Sequence, residues 1–477
     1  MATAALFAAF APAAWAGAND GFFGVNAGDL FKLPQAQWDP QLSAMSQDGI
    51  QVLRLGAWWS DLEPHAPDAS GHFYAWGDTD QQVSALARHG IRWEPLLSFS
   101  ATWDSIVPGD YTAYPAKPAD FAAFAAALTR RYGPDGSFWK EHPELPALPV
   151  KAYEVWNEPN AATFWHPQAS APEKYADLYA ATRTALHQAD PAARVVVGGL
   201  AAPAGGVIPA DQFVERMLAH RPDLHGSLDA VGFHPYSPTT GGVYSQLASF
   251  RHALDSAAGP GVPIEITEIG WSSVDASQSS IASDLSDLAT TLPRSDCDVE
   301  RMMPYAWVGP ELDPGDREQW FGIQNRDGSA KPSGAAYGRS VRQMRGLGTE
   351  QAPTGSVTIC RPAPAPAAAA PVHQGPILQL KVRRERGPKV RIRALARCPT
   401  GCGLRFDVRP ASADASSAGG AALLARRTLR FSRKLRRVSL HIAPRNARRA
   451  GRRVRVDVVA VGRSGQRTLR SRTIRIR

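Results

Sequence analysis

Beyond its first residues, the 477-residue chain has no apolar run long enough to cross a membrane. A span needs about 18 such residues, so no integral membrane segment is expected once the N-terminal run is removed. Cysteine is scarce: Cys297, Cys360, Cys398 and Cys402 are the whole set, and three pairings of them are open. The CPTGC turn places Cys398 and Cys402 for a local bridge, which leaves Cys297 for Cys360. A zinc half-site at Cys398 and Cys402 is the rival reading, but no second Cys or His pair stands at ligand spacing, so no metal is expected. A glycine-rich phosphate loop is also missing. The first strand candidate ends in Gly24-Val25-Asn26, which argues against a dinucleotide fold and leaves no cofactor expected. From Ile377 onward acid is nearly absent, with 29 Lys and Arg against 4 Asp and Glu. The remainder has the opposite sign, 24 against 40, so the net charge of +9 conceals two unlike halves.

What is present is ample for two folded units. With 44% hydrophobic and 9% aromatic residues the chain can bury a large core, and its length exceeds what one core usually organises. Residues 1–16 read as a signal peptide: Met1 to Trp15 is uncharged and apolar, and Ala14-Trp15-Ala16 supplies the small residues a signal peptidase requires before Gly17. The run lacks the positively charged start of such signals, and a buried N-terminal helix is the other reading. A secreted or cell-surface protein is expected, and an even cysteine count suits that oxidising setting. Residues 346–376 are rich in Pro and Ala without apolar periodicity, the pattern of a linker. It separates a unit at 17–345 from a basic one at 377–477.

Within the first unit, eight apolar runs alternate with helical patterns: Phe22 to Asn26, Ile50 to Leu55, Ile91 to Phe99, Val150 to Trp156, Arg194 to Gly199, Ala230 to His234, Ile264 to Glu268 and Met302 to Trp307. Eight β-then-α units predict an α/β fold closed as a (β/α)8 barrel, in which chemistry gathers at the C-terminal ends of the strands. Two such ends carry glutamates, Trp156-Asn157-Glu158-Pro159-Asn160 on the fourth strand and Ile266-Thr267-Glu268-Ile269-Gly270-Trp271 on the seventh. Period-2 alternation puts Glu154, Trp156 and Glu158 on one face, and Ile264, Ile266 and Glu268 on one face of theirs. Paired carboxylates across a barrel mouth suit acetal cleavage, one protonating the departing oxygen while the other attacks or stabilises an oxocarbenium-like centre.

WNEPN on strand four and TEIGW on strand seven resemble the acid/base and nucleophile motifs of the clan A glycoside hydrolases, families 5 and 39 being nearest. The resemblance spans roughly Gly21 to Arg345. It implies retaining hydrolysis with Glu158 as general acid/base and Glu268 as nucleophile. Asn157 would bond the sugar 2-hydroxyl, Tyr236 and Arg54 would support Glu268, His234 would line the subsite, and Trp307 would form its stacking floor. Arg54 has a second reading, an ion pair with Glu154 inside the barrel. Trp58, Trp59, Trp103, Trp165 and Trp271 fall in loops at the mouth, for stacking on sugar faces or for packing. The third strand's end offers no residue that matches the family.

The tail alternates apolar and basic residues, as in Arg453-Val454-Arg455-Val456-Asp457-Val458, and predicts a small β-sandwich. Its charge suits an anionic cell-wall polymer or acidic polysaccharide, or else only a solvated face. Without a recognition motif or aromatic platform it does not suit nucleic acid. Two function classes follow for the whole: a hydrolase acting on a polysaccharide or oligosaccharide, and a catalytically silent barrel that binds carbohydrate at the cell surface.

Overall fold

The computed structural model describes residues 18–202, 207–361, 379–384, 391–397, 402–410, 424–432, 436–442, 453–461 and 467–475. The expected signal peptide and Cys398 lie outside the described residues. Two compact units are formed, Met1–Pro364 and Ala365–Arg477.

The first unit is an eight-stranded parallel sheet in sequential order: β1 Gly24–Asn26, β2 Val52–Trp58, β3 Arg92–Ser98, β4 Ala152–Val155, β5 Arg194–Ala201, β6 Ala230–His234, β7 Ile264–Ile269 and β8 Val299–Pro304. Its ends meet where the Met302 amide donates to the Phe22 carbonyl at 2.9 Å and Phe23 bridges Met302 in parallel, so the sheet curls into a barrel. The strands read as nearly continuous apolar runs because both faces are covered, side chains inside and helices outside. The helix Pro118–Tyr132 shows how the outer layer is specified. Proline stands in its first turn, where a missing N–H costs nothing, and Phe121, Phe124, Ala125, Leu128 and Tyr132 recur at helical spacing on its buried face.

The stretch expected to open the linker at 346 is instead fastened to the barrel as far as Arg361. Cys297, just before β8, is bridged to Cys360. Beside the bridge, the Asp296 carboxylate accepts from the amides of Ile359 and Cys360 at 2.8 Å and of Arg361 at 3.1 Å. Side-chain anchors of this kind are invisible to a composition argument, which saw only Pro and Ala.

The second unit contains two antiparallel sheets. One has the order β13-β10-β9 (Arg436–His441, Arg391–Arg397, Gln379–Arg384); the other is β12-β11-β14-β15 (Ala425–Ser432, Cys402–Pro410, Arg453–Val461, Arg467–Arg475). Leu404, Phe406 and Val408 of β11 and Val454, Val456, Val458 and Ala460 of β14 are buried, and they alternate with the charged residues of the outer face. This is the expected sandwich. Cys402 is disulfide-bonded.

The Cys297–Cys360 bridge closes a loop of 63 residues, which constrains the unfolded chain by about 4 kcal/mol on a loop-entropy basis. Twelve of the 13 tryptophans stand between Trp38 and Trp320 and none follows, so fluorescence of the chain from Gly17 onward reports the barrel and not the basic unit. Urea titration followed by that signal should find the Cys297→Ser/Cys360→Ser variant about 2–4 kcal/mol less stable.

Candidate active site

The site grows out of the turn that follows β4. The strand stops at Val155, and Trp156 and Glu158 then take φ of 71° and 41°, left-handed values that cost side-chain-bearing residues about 1–3 kcal/mol each. The kink breaks the alternation expected from the sequence. Glu154 points into the barrel, Trp156 is buried against Trp165, and only Glu158 reaches the mouth. Its backbone is held by its own amide, which donates to Gly199 O at 3.0 Å. From β7, Glu268 faces it. The nearest donor atoms of Glu158, Glu268 and His234 all lie within 4.8 Å of one another.

Arg54 on β2 ties this mouth together. Its guanidinium is buried and donates to four side chains: Nε to Glu154, Nη1 to Asn26 Oδ1 at 2.7 Å and Glu268 Oε1 at 2.6 Å, and Nη2 to Asn157 Oδ1 at 2.9 Å. Both readings of Arg54 thus hold in one geometry. Because Asn157 spends its oxygen on Arg54, its amide N–H groups are left to face the cavity, which it lines. Asn26 is fixed in turn by donating to Thr267 O at 2.8 Å.

His234 ends β6 behind the carboxylates, fully buried, with Nδ1 2.9 Å from Glu158 Oε1 and 3.7 Å from Glu268 Oε2. It fits because position 199 is glycine, where a Cβ would fall 2.0 Å from His234 Nε2. Burial pushes the imidazole pKa down, but the Glu268 charge and the bond to Glu158 outweigh this and the net direction is up. For Glu268, burial acts upward, and the charges of His234 and Arg54, with hydrogen bonds from Arg54 and Tyr236, bring it below the ordinary value. The Tyr236 hydroxyl donates to Glu268 Oε2 at 3.0 Å, and its own pKa is raised by burial and by that carboxylate. The two glutamates therefore differ in kind. Glu268 is held as an anion by a cation and a phenol, while Glu158 meets only an imidazole.

A cavity of about 1360 Å³ opens over the pair. Arg54, Asn157, Glu158, Tyr236 and Glu268 line it, whereas His234 stands behind and Trp307 takes no part. Trp307 is buried in the core, its indole N–H donating to Gln41 Oε1 at 2.7 Å. The expected strand eight ran to Trp307, but β8 ends at Pro304, so the residue that emerges at the mouth is Tyr305. Tyr305 packs edge-on to Phe321 at 5.6 Å, and both line the cavity. Of the loop tryptophans, Trp58 and Trp271 line it; Trp59 and Trp165 are buried core residues, and Trp103 donates to Glu63 O. Sequence reasoning missed Asn26, Thr267, Tyr305 and Phe321. A proline ending the eighth strand was the one available signal for Tyr305.

Removing Arg54 leaves Glu154 and Glu268 buried without their cation, so Arg54→Met should cost about 3–5 kcal/mol at neutral pH. A carboxylate held below its usual pKa contributes stability that is full above the unfolded value and fades as pH falls through the lowered one. Denaturant titrations should accordingly show the Arg54→Met penalty shrinking below roughly pH 4.

Comparison with known proteins agrees with this geometry. A family model described as Glycosyl hydrolases family 39 matches residues 148–259, which run from β4 to the helix before β7. No curated protein matches the sequence. Among solved structures, a monomeric β-xylosidase from Caulobacter crescentus CB15 has a TM-score of 0.51 at 19% identity, with 89% of this chain and 95% of that one covered. The family 39 enzyme of Xanthomonas axonopodis pv. citri gives 0.52 at 17%, covering 89% and 93%. A family 39 glycoside hydrolase from Bacteroides cellulosilyticus WH2 gives 0.52 at 16%, covering 88% and 80%. At these identities what is shared is the fold. Together with the family match it supports a glycosidase, and the chain is similar to the clan A glycoside hydrolases, family 39 among them.

Proposed function

We propose that the chain is a retaining glycoside hydrolase acting on a β-linked glycan, with Glu158 as general acid/base and Glu268 as nucleophile. One observation carries the reading: two carboxylates with oxygens within 4.8 Å, one paired with a guanidinium and a phenol and the other with an imidazole. Retaining enzymes place their carboxyl groups about 5–5.5 Å apart, whereas inverting ones need about 6.5–9.5 Å to admit a water. In the first step Glu268 Oε bonds to the anomeric carbon as the glycosidic C–O bond breaks and Glu158 protonates the leaving oxygen. In the second, Glu158 takes a proton from water, whose oxygen displaces Glu268 with a second inversion. The Asn157 amide is placed to donate to the sugar 2-hydroxyl, and Tyr305 and Phe321 supply the aromatic floor expected of Trp307. A cavity of about 1360 Å³ exceeds the usual few hundred to one thousand for a single small ligand, which favours an oligosaccharide or polysaccharide.

The protein is read as exported. Its basic sandwich is read as a docking module for an acidic polymer such as an anionic cell-wall glycan. Asp407 and Asp457 sit opposite each other on β11 and β14, and Arg426 and Arg455 pair with them. Binding to such a polymer should weaken steeply with salt.

A panel of aryl β-glycosides (xyloside, glucoside, mannoside, galactoside) and unmodified glycans tests the main reading. Product anomers followed by proton NMR should appear first with the substrate's configuration. Glu158→Gln and Glu268→Gln should each lower kcat by at least about 10³-fold while the barrel stays folded by circular dichroism. A well-folded wild type inactive on the whole panel would leave the carbohydrate-binding barrel as the better reading.

A further inference from the structure

We propose that Thr267, backed by Glu154, fixes His234 in the tautomer that carries its hydrogen on Nε2, and so turns Nδ1 into the acceptor that keeps Glu158 protonated. The inference rests on the reading of Glu158 as acid/base and adds positioning residues that do not touch substrate.

The chain of donors admits one assignment. Arg54 is charged at any working pH, and its Nε–H is spent on Glu154 Oε2. Both Glu154 oxygens thus meet obligate donors, the guanidinium on one side and the Gly199 amide on the other, and act as acceptors. Glu154 Oε1 accepts from the Gly199 amide at 2.7 Å and from the Thr267 hydroxyl at 3.0 Å. A threonine hydroxyl has a single hydrogen, and this one is committed to Glu154. Toward His234 Nε2, 3.0 Å away, Thr267 Oγ1 can offer only a lone pair, so Nε2 must carry the hydrogen.

The consequence lies across the ring. In neutral imidazole with hydrogen on Nε2, Nδ1 is a bare acceptor, and its 2.9 Å contact with Glu158 Oε1 is a hydrogen bond only when the carboxyl brings the proton. When the ring is doubly protonated the same contact joins imidazolium to carboxylate, still with one proton between the atoms. The remaining arrangement, neutral imidazole donating from Nδ1 to ionised Glu158, would set two lone pairs against each other at Thr267. That is the form which would strip the acid of its proton, and the lock on Nε2 excludes it. Other charged or titratable groups around the pair are Glu268 from β7, Arg54 from β2, Tyr236 after β6, Tyr305 after β8 and, more remotely, Glu318. Among the described residues none of them hydrogen-bonds or pairs with Nε2; Thr267 does.

Thr267→Val keeps the side-chain shape and deletes the hydroxyl; Thr267→Ser restores it. In protein labelled with ¹⁵N-histidine, with the His234 signal among the 12 histidines identified by its loss in His234→Gln, the wild type above the ring's titration should show protonated Nε2 and bare Nδ1. The Val variant should show the Nδ1–H form, and the Ser variant the wild-type pattern. Kinetically, loss of acid assistance falls on poor leaving groups alone. For phenyl glycosides kcat/KM in the Val variant should drop about 10- to 100-fold and its basic limb should move to lower pH, while 2,4-dinitrophenyl glycosides change by less than about twofold. Nδ1 protonated in the neutral wild-type ring, or equal losses on both leaving groups, overturns the proposal. The nitrogen spectra need no substrate, so an absence of turnover on every glycoside would count against the hydrolase reading while the tautomer is still decided by the spectra.

Discussion

One buried guanidinium holds the mouth of this barrel in order. Arg54 reaches from β2 to residues on β1, β4 and β7 and to the turn after β4, and each partner is oriented by what Arg54 takes from it. Asn26, Asn157, Glu154 and Glu268 each turn an oxygen to it, its charge helps to hold Glu268 below the ordinary carboxylate pKa, and the amide N–H groups of Asn157 are left for a ligand. A lysine could not do this, because an ammonium is a compact charge without the flat fork that addresses several acceptors in set directions. The arrangement is costly to bury and only stable when complete, since any missing member leaves a charge or amide unpaired in low dielectric.

Much of this was legible from the amino-acid sequence because parallel barrel strands are apolar along their length, so polar residues at their C-terminal ends stand out. Glu158 and Glu268 were read that way and Arg54, Asn157 and Tyr236 through the family resemblance, and all five line one cavity. His234 was expected to line the subsite, whereas Gly199 on β5 makes room for the ring behind the carboxylates, and pairing between strands is not written in either strand alone. Trp307 went astray for a simpler reason. Periodicity locates a strand but not its last residue, and a shift of three positions exchanges a tyrosine at the mouth for a tryptophan in the core.

Asn26 and Thr267 were missed because they are small polar residues whose importance is wholly a matter of partners. Glu154 was noticed as a possible partner for Arg54, yet its second role, receiving the Thr267 hydroxyl and the Gly199 amide, depends on three strands meeting. Hydrogen-bond direction is the property least accessible to sequence, since it depends on which atom has already spent its proton. The anchoring of residues 346–361 belongs to the same class: one bridge and one aspartate hold a stretch whose composition reads as tether.

The charge count of the mouth has a consequence for what lodges there. Two carboxyls, Glu154 and Glu268, share the single guanidinium of Arg54, and Glu158 sets a third against the His234 imidazole. The mouth therefore holds more carboxyls than guanidinium to meet them. A neutral sugar leaves that excess unanswered, whereas a ring that becomes cationic as its bond loosens is met by it, so the site is an electrostatic imprint of a species that exists only in passing.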